Sequence, residues 1–327
     1  MRIGIVISSA AAAAATHTTV HIAHAACEAG HSVRFFEPWD FEIDAVGRIR
    51  GRAHAFDAGT APTREALAAT LNGRTALRRS VDVDRLDVLL LRMNPIDTAV
   101  ITVAQLAAAA GVRVLNDPHS MLRISHKSWL ATLSDVPRPR TIVTRSRSAI
   151  DTFASGCESG VVVKPARSCG GRAVAIVRSR RRAPLDEAVE AAIGAGDGYV
   201  IVQEYLTAAV LGEKRLLWHA GKLLGGYLRM RAPGEFRHNL KMGGQPLPCE
   251  VTSADQAIAA RLTPHLVSEG VWLAGIDVIG DRVVEVNTLN PGGVHYTETF
   301  TGLGVSRVLL ADLELQLPAP RFSMVST

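Results

Sequence analysis

The sequence predicts an α/β protein with an N-terminal doubly wound lobe of mostly parallel sheet, a small α+β module and a C-terminal lobe of antiparallel strand pairs. Three observations predict it. Short apolar runs alternate with helical patterns over residues 1–120, the pattern of strands buried under helices on both faces. A connector with two prolines and two arginines, Ser134 to Arg140, marks a change of texture. From Leu216 onward, β-type runs come in pairs joined by short turns. The lobes are expected at 1–120, 121–203 and 204–327.

The composition supports a large core. Hydrophobic residues make up 47% and charged residues 20% of 327, which excludes a disordered chain. A net charge of +5 suits a binder of anionic small molecules. Aromatics are only 5% and do not interleave with basic residues, so no nucleic-acid partner is expected. No apolar run reaches membrane-spanning length, and no membrane partner is expected. Cys27, Cys157, Cys169 and Cys249 form no C-x-x-C pair, which favours a reducing, cytoplasmic compartment.

The first element needs a decision. Met1 to Ala15 has a basic tip, an apolar run and six alanines, like a signal peptide. The stronger reading is a buried strand, Ile3–Ile7, because a helix (Thr16–Ala29) and a second strand (Val33–Phe36) follow and complete a βαβ unit. Val88–Leu91 and Val112–Leu115 read as further strands around a helix at Asp97–Ala110. Residues 51–85 lack a clear period and read as a surface excursion with one helix, Thr63–Leu71. In the central module, strands are expected at Thr141–Thr144, Val161–Lys164, Ala173–Val177 and Tyr199–Gln203, with helices at Ser148–Phe153 and Leu185–Ala192. The basic run Arg178 to Arg182 reads as a solvated loop. In the last lobe, Arg215–His219 pairs with Leu223–Met230, and Ala274–Ile279 with Val283–Asn287 across a tight turn at Gly280-Asp281. Between the pairs lies a helix with a capping box from Ser253 to Gln256 and an apolar stripe of Ile258, Leu262 and Leu266.

The chemistry begins at the last hairpin. Asp277 lies on one strand, and Glu285 and Asn287 lie two apart on the next, so they share a face. Two carboxylates and an amide oxygen are hard ligands suited to Mg²⁺. A polar hairpin face is the bland alternative, but the flanks Val278, Ile279, Val283, Val284 and Val286 have a buried texture, where carboxylates need a compensating cation. Upstream, the run Val161 to Lys164 leads into a loop with Gly170-Gly171, which lets backbone N–H groups approach a phosphate or simply makes a hairpin. It is not a Walker A loop. Val200 to Leu206 is an apolar strand ending in Gln203-Glu204-Tyr205-Leu206, suited to an adenine and a ribose, or to a lobe connection.

In this order the pieces resemble the ATP-grasp superfamily, with the strongest likeness to bacterial glutathione synthetases over almost the whole chain. Further matching stretches are Leu91 to Thr98, Leu115 to Ser120, Lys127 to Leu130, Glu213 to Arg215, Arg237 to Gly244 and Gly275 to Asp281. The resemblance implies ATP and two magnesium ions as cofactors, with manganese as a substitute. It implies that Lys127, Lys164, Gly170 and Gly171 contact phosphates, that 166–173 is a mobile covering loop, and that Gln203, Glu204, Tyr205 and Leu206 hold the nucleoside. Arg229 would neutralise the transferred phosphoryl group, Asn239 would lie near the reacting carboxylate, and Arg215 would face the acyl substrate. Asp277, Glu285 and Asn287 would hold the metal. His17, Asn94, Lys241, Asn290, Gly292 and Gly293 are the substrate candidates. The implied reaction joins a small-molecule carboxylate to an amine through an acyl phosphate, in a homodimer or tetramer.

Three departures from that family bear on the substrates. Ser8-Ser9 and six alanines replace a polar loop after the first strand. Thr288 to His295 carries a glycine pair where a Thr-Ser-Pro pattern and an arginine are expected. Lys241 follows Asn239 where small residues are usual. These keep open an amide ligase of a specialised pathway, while a phosphotransferase and a silent ATP-binding module are further readings on the same scaffold. A Rossmann oxidoreductase is disfavoured because the first turn lacks G-x-G-x-x-G. His17, His21 and His24 share a helix face, read as polar surface before metal site. Cys169 reads as a loop filler.

Overall fold

The computed structural model describes residues 1–167, 171–178 and 182–315. It comprises two compact units. One holds Met1–Arg92, Thr102–Val114 and the described residues from Gly304 on; the other holds Met93–Ile101 and Leu115–Leu303.

The first unit is built on β1 (Arg2–Ile7), which is buried from Ile3 to Ile7. Helix α1 (Thr18–Glu28) returns the chain to β2 (Ser32–Phe36), which pairs parallel to β1 with Ile5 opposite Phe35. The alanine run is a single 3-10 turn, Ala10–Ala12, pinned where the Ala10 N–H donates to the buried Glu37 at 2.9 Å.

The segment expected as a surface excursion is instead part of the sheet. After the short β3 (Phe41–Ile43), β4 (Ile49–Phe56) pairs antiparallel with β2, and beyond helix α2 (Arg64–Asn72) β5 (Arg78–Asp82) pairs antiparallel with β4. These strands bury small or aromatic residues, among them Ala53 and Phe56. Their outward arginines are held by carboxylates, as in Arg50–Asp82 at 3.3 Å. That polar outer face conceals the apolar alternation a strand normally shows. Strand β6 (Val88–Arg92) lies parallel to β1 on its other side, and helix α3 (Thr98–Ala109) leads to β7 (Arg113–Leu115). The sheet order is β3-β4-β2-β1-β6-β7, with β5 on β4.

The second unit opens with the short helices α4 (Met121–Ile124) and α5 (Ser128–Thr132). Its first sheet contains β8 (Thr141–Thr144), β9 (Val161–Pro165), β10 (Ala175–Val177) and β11 (Val200–Glu204) in the order β10-β9-β11-β8. Helices α6 (Arg147–Ser155) and α7 (Arg182–Ala195) cover it, and Ile150, Val163, Leu185, Val189 and Val202 share one core. Residues 179–181 of the basic run lie outside the described residues.

The second sheet is antiparallel. It consists of β12 (Glu213–His219), β13 (Lys222–Met230), β14 (Gln245–Leu247), β15 (Leu273–Ile279) and β16 (Arg282–Asn287), ordered β14-β13-β12-β15-β16. Helix α8 (Ser253–Ser268) packs Ile258, Leu262 and Leu266 into a core with the fully buried Trp218. The chain closes with α9 (Val294–Thr301) and α10 (Val305–Leu315), the latter packed on α1 in the first unit.

The cap of α8 lies one residue before the expected Ser253. The Thr252 hydroxyl accepts from the Asp255 N–H at 3.3 Å, and the Asp255 carboxylate accepts from the Thr252 N–H at 2.8 Å. Asp255 is buried and also takes Lys214 at 2.7 Å, so it rather than Gln256 closes the reciprocal pair. Thr252→Ala is expected to lower stability by about 1 kcal/mol in urea unfolding, the usual loss of a helix cap. Ser253→Ala should leave the midpoint unchanged; equal losses for the two would remove the assignment.

Candidate active site

The site is a row of side chains across one face of the antiparallel sheet. Register places Tyr227 of β13 opposite Arg215 of β12, Arg215 opposite Asp277 of β15, and Asp277 opposite Glu285 of β16. Period-two alternation adds Glu213, Arg229 and Asn287 to the same face. The turn between β15 and β16 runs through Gly280 at φ +59°, a left-handed conformation that glycine adopts without strain.

Asp277 is the centre of the row. It is buried, and Arg215 clamps both its oxygens, with Nη2 donating to Oδ2 at 2.8 Å and Nε donating to Oδ1. Arg229 Nη2 stands 2.9 Å from Oδ1 and also pairs with Glu213. Asn287 Nδ2 donates to Oδ2 at 3.0 Å. Burial alone would raise the Asp277 carboxyl; Arg215 and then Arg229 reverse that and hold it below the usual carboxylate range. For Arg215, burial works against the charge, but Asp277 prevails and the guanidinium pKa rises.

Cationic side chains of the protein itself stand against these carboxylates: arginines pair with Asp277, and Lys127 lies 3.4 Å from Glu285. Among the described residues, no group of three or more His, Cys, Asp or Glu forms a metal cluster. The donor set still fits Mg²⁺ brought in with an anion, because its third member is an amide. The end of the cleft gathers four cations (Lys127, Lys164, Arg215, Arg229) against three carboxylates (Glu213, Asp277, Glu285). One surplus positive charge falls short of a polyphosphate, so a divalent cation on hard oxygens would add needed positive charge. Arg229 Nε is a buried donor with no hydrogen bond, left for an incoming acceptor.

Lys164 ends up here because β9 and β11 pair with it opposite Ile201. Its ammonium donates to Gln203 Oε1 at 3.1 Å and to the Val284 carbonyl at 3.2 Å. Burial pushes its pKa down to about 8, which Glu285 opposes and Lys127 reinforces. Gln203 is thus engaged in holding the lysine, and its amide donates to Thr141 at 3.1 Å.

Away from the charged end, the same cleft is apolar, lined by Val162 and Ile176 from one sheet, by Val174 just before β10, and by Ile279, Val284, Leu206 and Phe236. Glu204 and Tyr205 border it, as do Asn94, Gly171 and Asn239. Asn239 caps a 3-10 turn, accepting from the Lys241 N–H at 2.9 Å, and Lys241 itself is exposed and outside the lining. Asn290 lines a neighbouring cavity with Asn94 and Lys127. The Gly292 carbonyl accepts from Arg215 at 3.3 Å. Gly293, at φ +129°, sits in a conformation that strains any other residue, and a Cβ there would press on Tyr227 at 3.1 Å. Gly170 and Cys169 lie outside the described residues. In the first unit, His17 precedes α1, His21 meets Arg64 at 2.9 Å and His24 lies 3.6 Å from Glu28, so the histidine face is divided among separate contacts.

Sequence reasoning missed several supports. Glu213, although inside a matching stretch, gave no sign that it would pair with Arg229 and stand 3.5 Å from His238. Asn116 satisfies four backbone groups: it donates to the carbonyls of Leu273 and Thr288 and accepts from the N–H groups of Trp272 and Leu273. It thereby fixes the segment that leaves β16. Arg237, paired with Glu235, reaches the Gly171 carbonyl at 3.4 Å.

A family model described as the ATP-grasp domain of prokaryotic glutathione synthetase matches residues 127–302, and one for the N-terminal domain of the same enzymes matches residues 1–123. The glutathione synthetase of Citrobacter rodentium is 33% identical over 242 residues, 72% of this chain and 75% of that protein. The glutathione synthetase of Agrobacterium fabrum is 32% identical over 246 residues, 74% of this chain and 76% of that protein. Among solved structures, a D-cycloserine synthetase superposes with a TM-score of 0.66 at 17% identity, covering 96% of this chain and 99% of that one. The D-Ala:D-Ser ligase of Enterococcus faecalis gives a TM-score of 0.64 at 15% identity, covering 96% and 98%. At such identities the structural likeness concerns the fold, which is the ATP-grasp fold.

The arrangement around Asp277 separates two roles for a carboxylate. Asp277→Asn leaves the buried Arg215 without its anion and Arg229 with Glu213 alone, and is expected to cost about 3–5 kcal/mol of stability. Glu285→Gln, at a more exposed carboxylate, should cost under about 1 kcal/mol. Urea unfolding without nucleotide or divalent cation measures both; an Asp277→Asn protein as stable as the native one would show that the ion pairs carry no stability.

Proposed function

The chain belongs to the prokaryotic glutathione synthetase family, ATP-dependent ligases that form amide bonds, and we propose that it joins the carboxylate of γ-glutamylcysteine to the amine of glycine. The observation that carries this reading is one cleft with an apolar end and a charged end, the latter built from Arg215, Arg229, Asp277, Glu285 and Asn287 on one sheet face beside Lys127 and Lys164. ATP and Mg²⁺ are the family's general cofactors. Adenine lies in the apolar slot beside Glu204 to Leu206, and the phosphates lie against Lys127, Lys164 and Arg229. Asp277, Glu285 and Asn287 would hold two magnesium ions, and manganese would be able to replace them. Bound there, the metal supplies positive charge to phosphate oxygens.

The protein's own work is positioning and charge neutralisation. The acyl carboxylate attacks the γ-phosphate, with the lysines and Arg229 countering the charge of the transferred group. The amine then displaces phosphate from the acyl phosphate. No nucleophilic serine or cysteine enters, and among the described residues none borders the cleft. Arg215 is committed to Asp277 and Gly292, so it faces the acyl substrate through one remaining edge. Among the described residues no helix is long and apolar enough to cross a membrane; a cytoplasmic homodimer or tetramer acting on small molecules completes the proposal. A second carboxylate–amine pair is favoured by one feature, the segment Thr288 to Gly293, which offers backbone groups where an arginine is expected.

ADP release over a panel of carboxylates and amines, with products identified by mass spectrometry, decides between the two. Turnover of γ-glutamylcysteine with glycine supports glutathione synthesis. Silence there, with turnover on another pair, rejects it, and ADP release with a stable phosphorylated product and no amine would point to phosphotransfer. Glu285→Ala should reduce Mg·ATP-dependent turnover at least about 100-fold.

Lys164 adds a pH signature. Only its protonated form attracts phosphate, and burial lowers its pKa from 10.5 to about 8. Affinity for a non-hydrolysable ATP analogue should be flat below pH 8 and fall about tenfold per unit above it, as binding must then supply a proton. Lys164→Arg should abolish that fall; calorimetric affinity that stays constant from pH 7 to beyond 9 in the native protein would refute the assignment.

A further inference from the structure

We propose that His126 is a positioning residue for Lys127, tying it through Asp197 to the turn that carries the start of the phosphate loop. The proposal rests on the reading above, in which Lys127 contacts ATP phosphates.

Lys127 sits between two residues that bond to each other. The Ser128 hydroxyl lies 2.5 Å from His126 Nδ1, and the Ser128 N–H points to the same nitrogen at 3.4 Å. A nitrogen facing a backbone N–H must accept, which places the ring proton on Nε2. That nitrogen faces Asp197 Oδ2 at 2.9 Å, where a donor is required. One neutral tautomer therefore satisfies every contact.

Asp197 is itself immobilised. Its Oδ1 accepts from the Tyr199 N–H at 3.2 Å, and its carbonyl accepts from Arg145 at 2.8 Å, while Arg145 lies over the Tyr199 ring at 4.2 Å. The same turn supports the loop after Lys164: the Ala166 N–H donates to the Tyr199 carbonyl at 3.1 Å, and a side chain at Gly196 would meet Pro165 at 2.9 Å. The Lys127 N–H in turn donates to the Ala166 carbonyl at 3.2 Å. The backbones bearing Lys127 and Lys164 are thus fixed to one another twice, once by this direct bond and once through His126 and Asp197. Two cations that must meet one polyphosphate gain affinity from being held at a set separation before it arrives.

A double-mutant cycle tests this, with Kd for a non-hydrolysable ATP analogue as the readout. His126→Ala is expected to weaken binding roughly tenfold with Lys127 present, the worth of a hydrogen bond to a charged group, and less than about twofold in a Lys127→Met background. Asp197→Asn keeps an acceptor for Nε2–H and should bind nearly as the native protein does. Asp197→Ala cuts the same bridge from the exposed turn and replaces His126→Ala in the cycle if that variant does not fold. If Lys127→Met weakens binding but His126→Ala costs the same in both backgrounds, the positioning role is overturned and the phosphate site stands. If Lys127→Met binds the analogue normally, both fall.

Discussion

A carboxylate buried between two guanidiniums organises this protein's working face. Taking three charges out of water costs several kcal/mol each, and the cost is met only when every hydrogen-bonding direction is used. Asp277 meets that condition with Arg215, Arg229 and Asn287 arranged around its two oxygens. Each partner arrives on a different part of the sheet: Arg215 on β12, Arg229 on β13, Asn287 on β16. Their convergence needs the strands in one register, because a slip of one residue would turn these side chains to the opposite face. The hydrophobic core of Trp218, Leu262 and Leu266 behind the sheet secures the register, and the charge cluster is its dividend on the front.

The same network has the charge distribution that the proposed polyanion site needs. Arg229 is shared between Glu213 and Asp277 and retains a buried N–H without an acceptor. Lys164 is sunk deep enough that burial lowers its pKa to about 8, so it holds its proton less firmly than an exposed lysine does. Lys127 reaches Glu285 from a separate segment. None of these cations is fully neutralised by a single dedicated partner, so an incoming phosphate strengthens existing charges without displacing a complete ion pair.

Much of this was legible in the sequence. The βαβ opening, the two strand pairs and the hairpin turn at Gly280 came from periodicity and turn chemistry, which are local. The hairpin alone brought Asp277, Glu285 and Asn287 together. What local patterns could not reach was Arg215 opposite Asp277, a pairing between residues far apart in the chain that depends on β12 and β15 lying side by side. For that reason the arginines that pair the deeper carboxylate could not be foreseen beside it. The strands β4 and β5 were missed because arginines on their outer face obscure the alternation. The cap of α8 was misplaced by one residue because Thr252 and Ser253 are both good caps, and only the bonds to Asp255 distinguish them.

Reaction chemistry and substrate choice rest on different kinds of structure here. The groups assigned to the phosphates sit mainly on strands whose opposite face is core, so packing dictates their positions. The segment that departs from the family pattern, Thr288 to Gly293, follows the end of β16 and is held by polar contacts: Asn116 on the Thr288 carbonyl and Arg215 on the Gly292 carbonyl. Gly293 tightens this further, since Tyr227, Leu217 and Arg215 occupy the space its side chain would need. Arg215 therefore links the two regions, with one edge on the buried Asp277 and another on the segment beyond β16. Any group that engages Arg215 is felt at Asp277 as well, and through Asp277 at Arg229; with the roles proposed above, the acyl end and the phosphoryl end of the reaction would share a single electrostatic circuit.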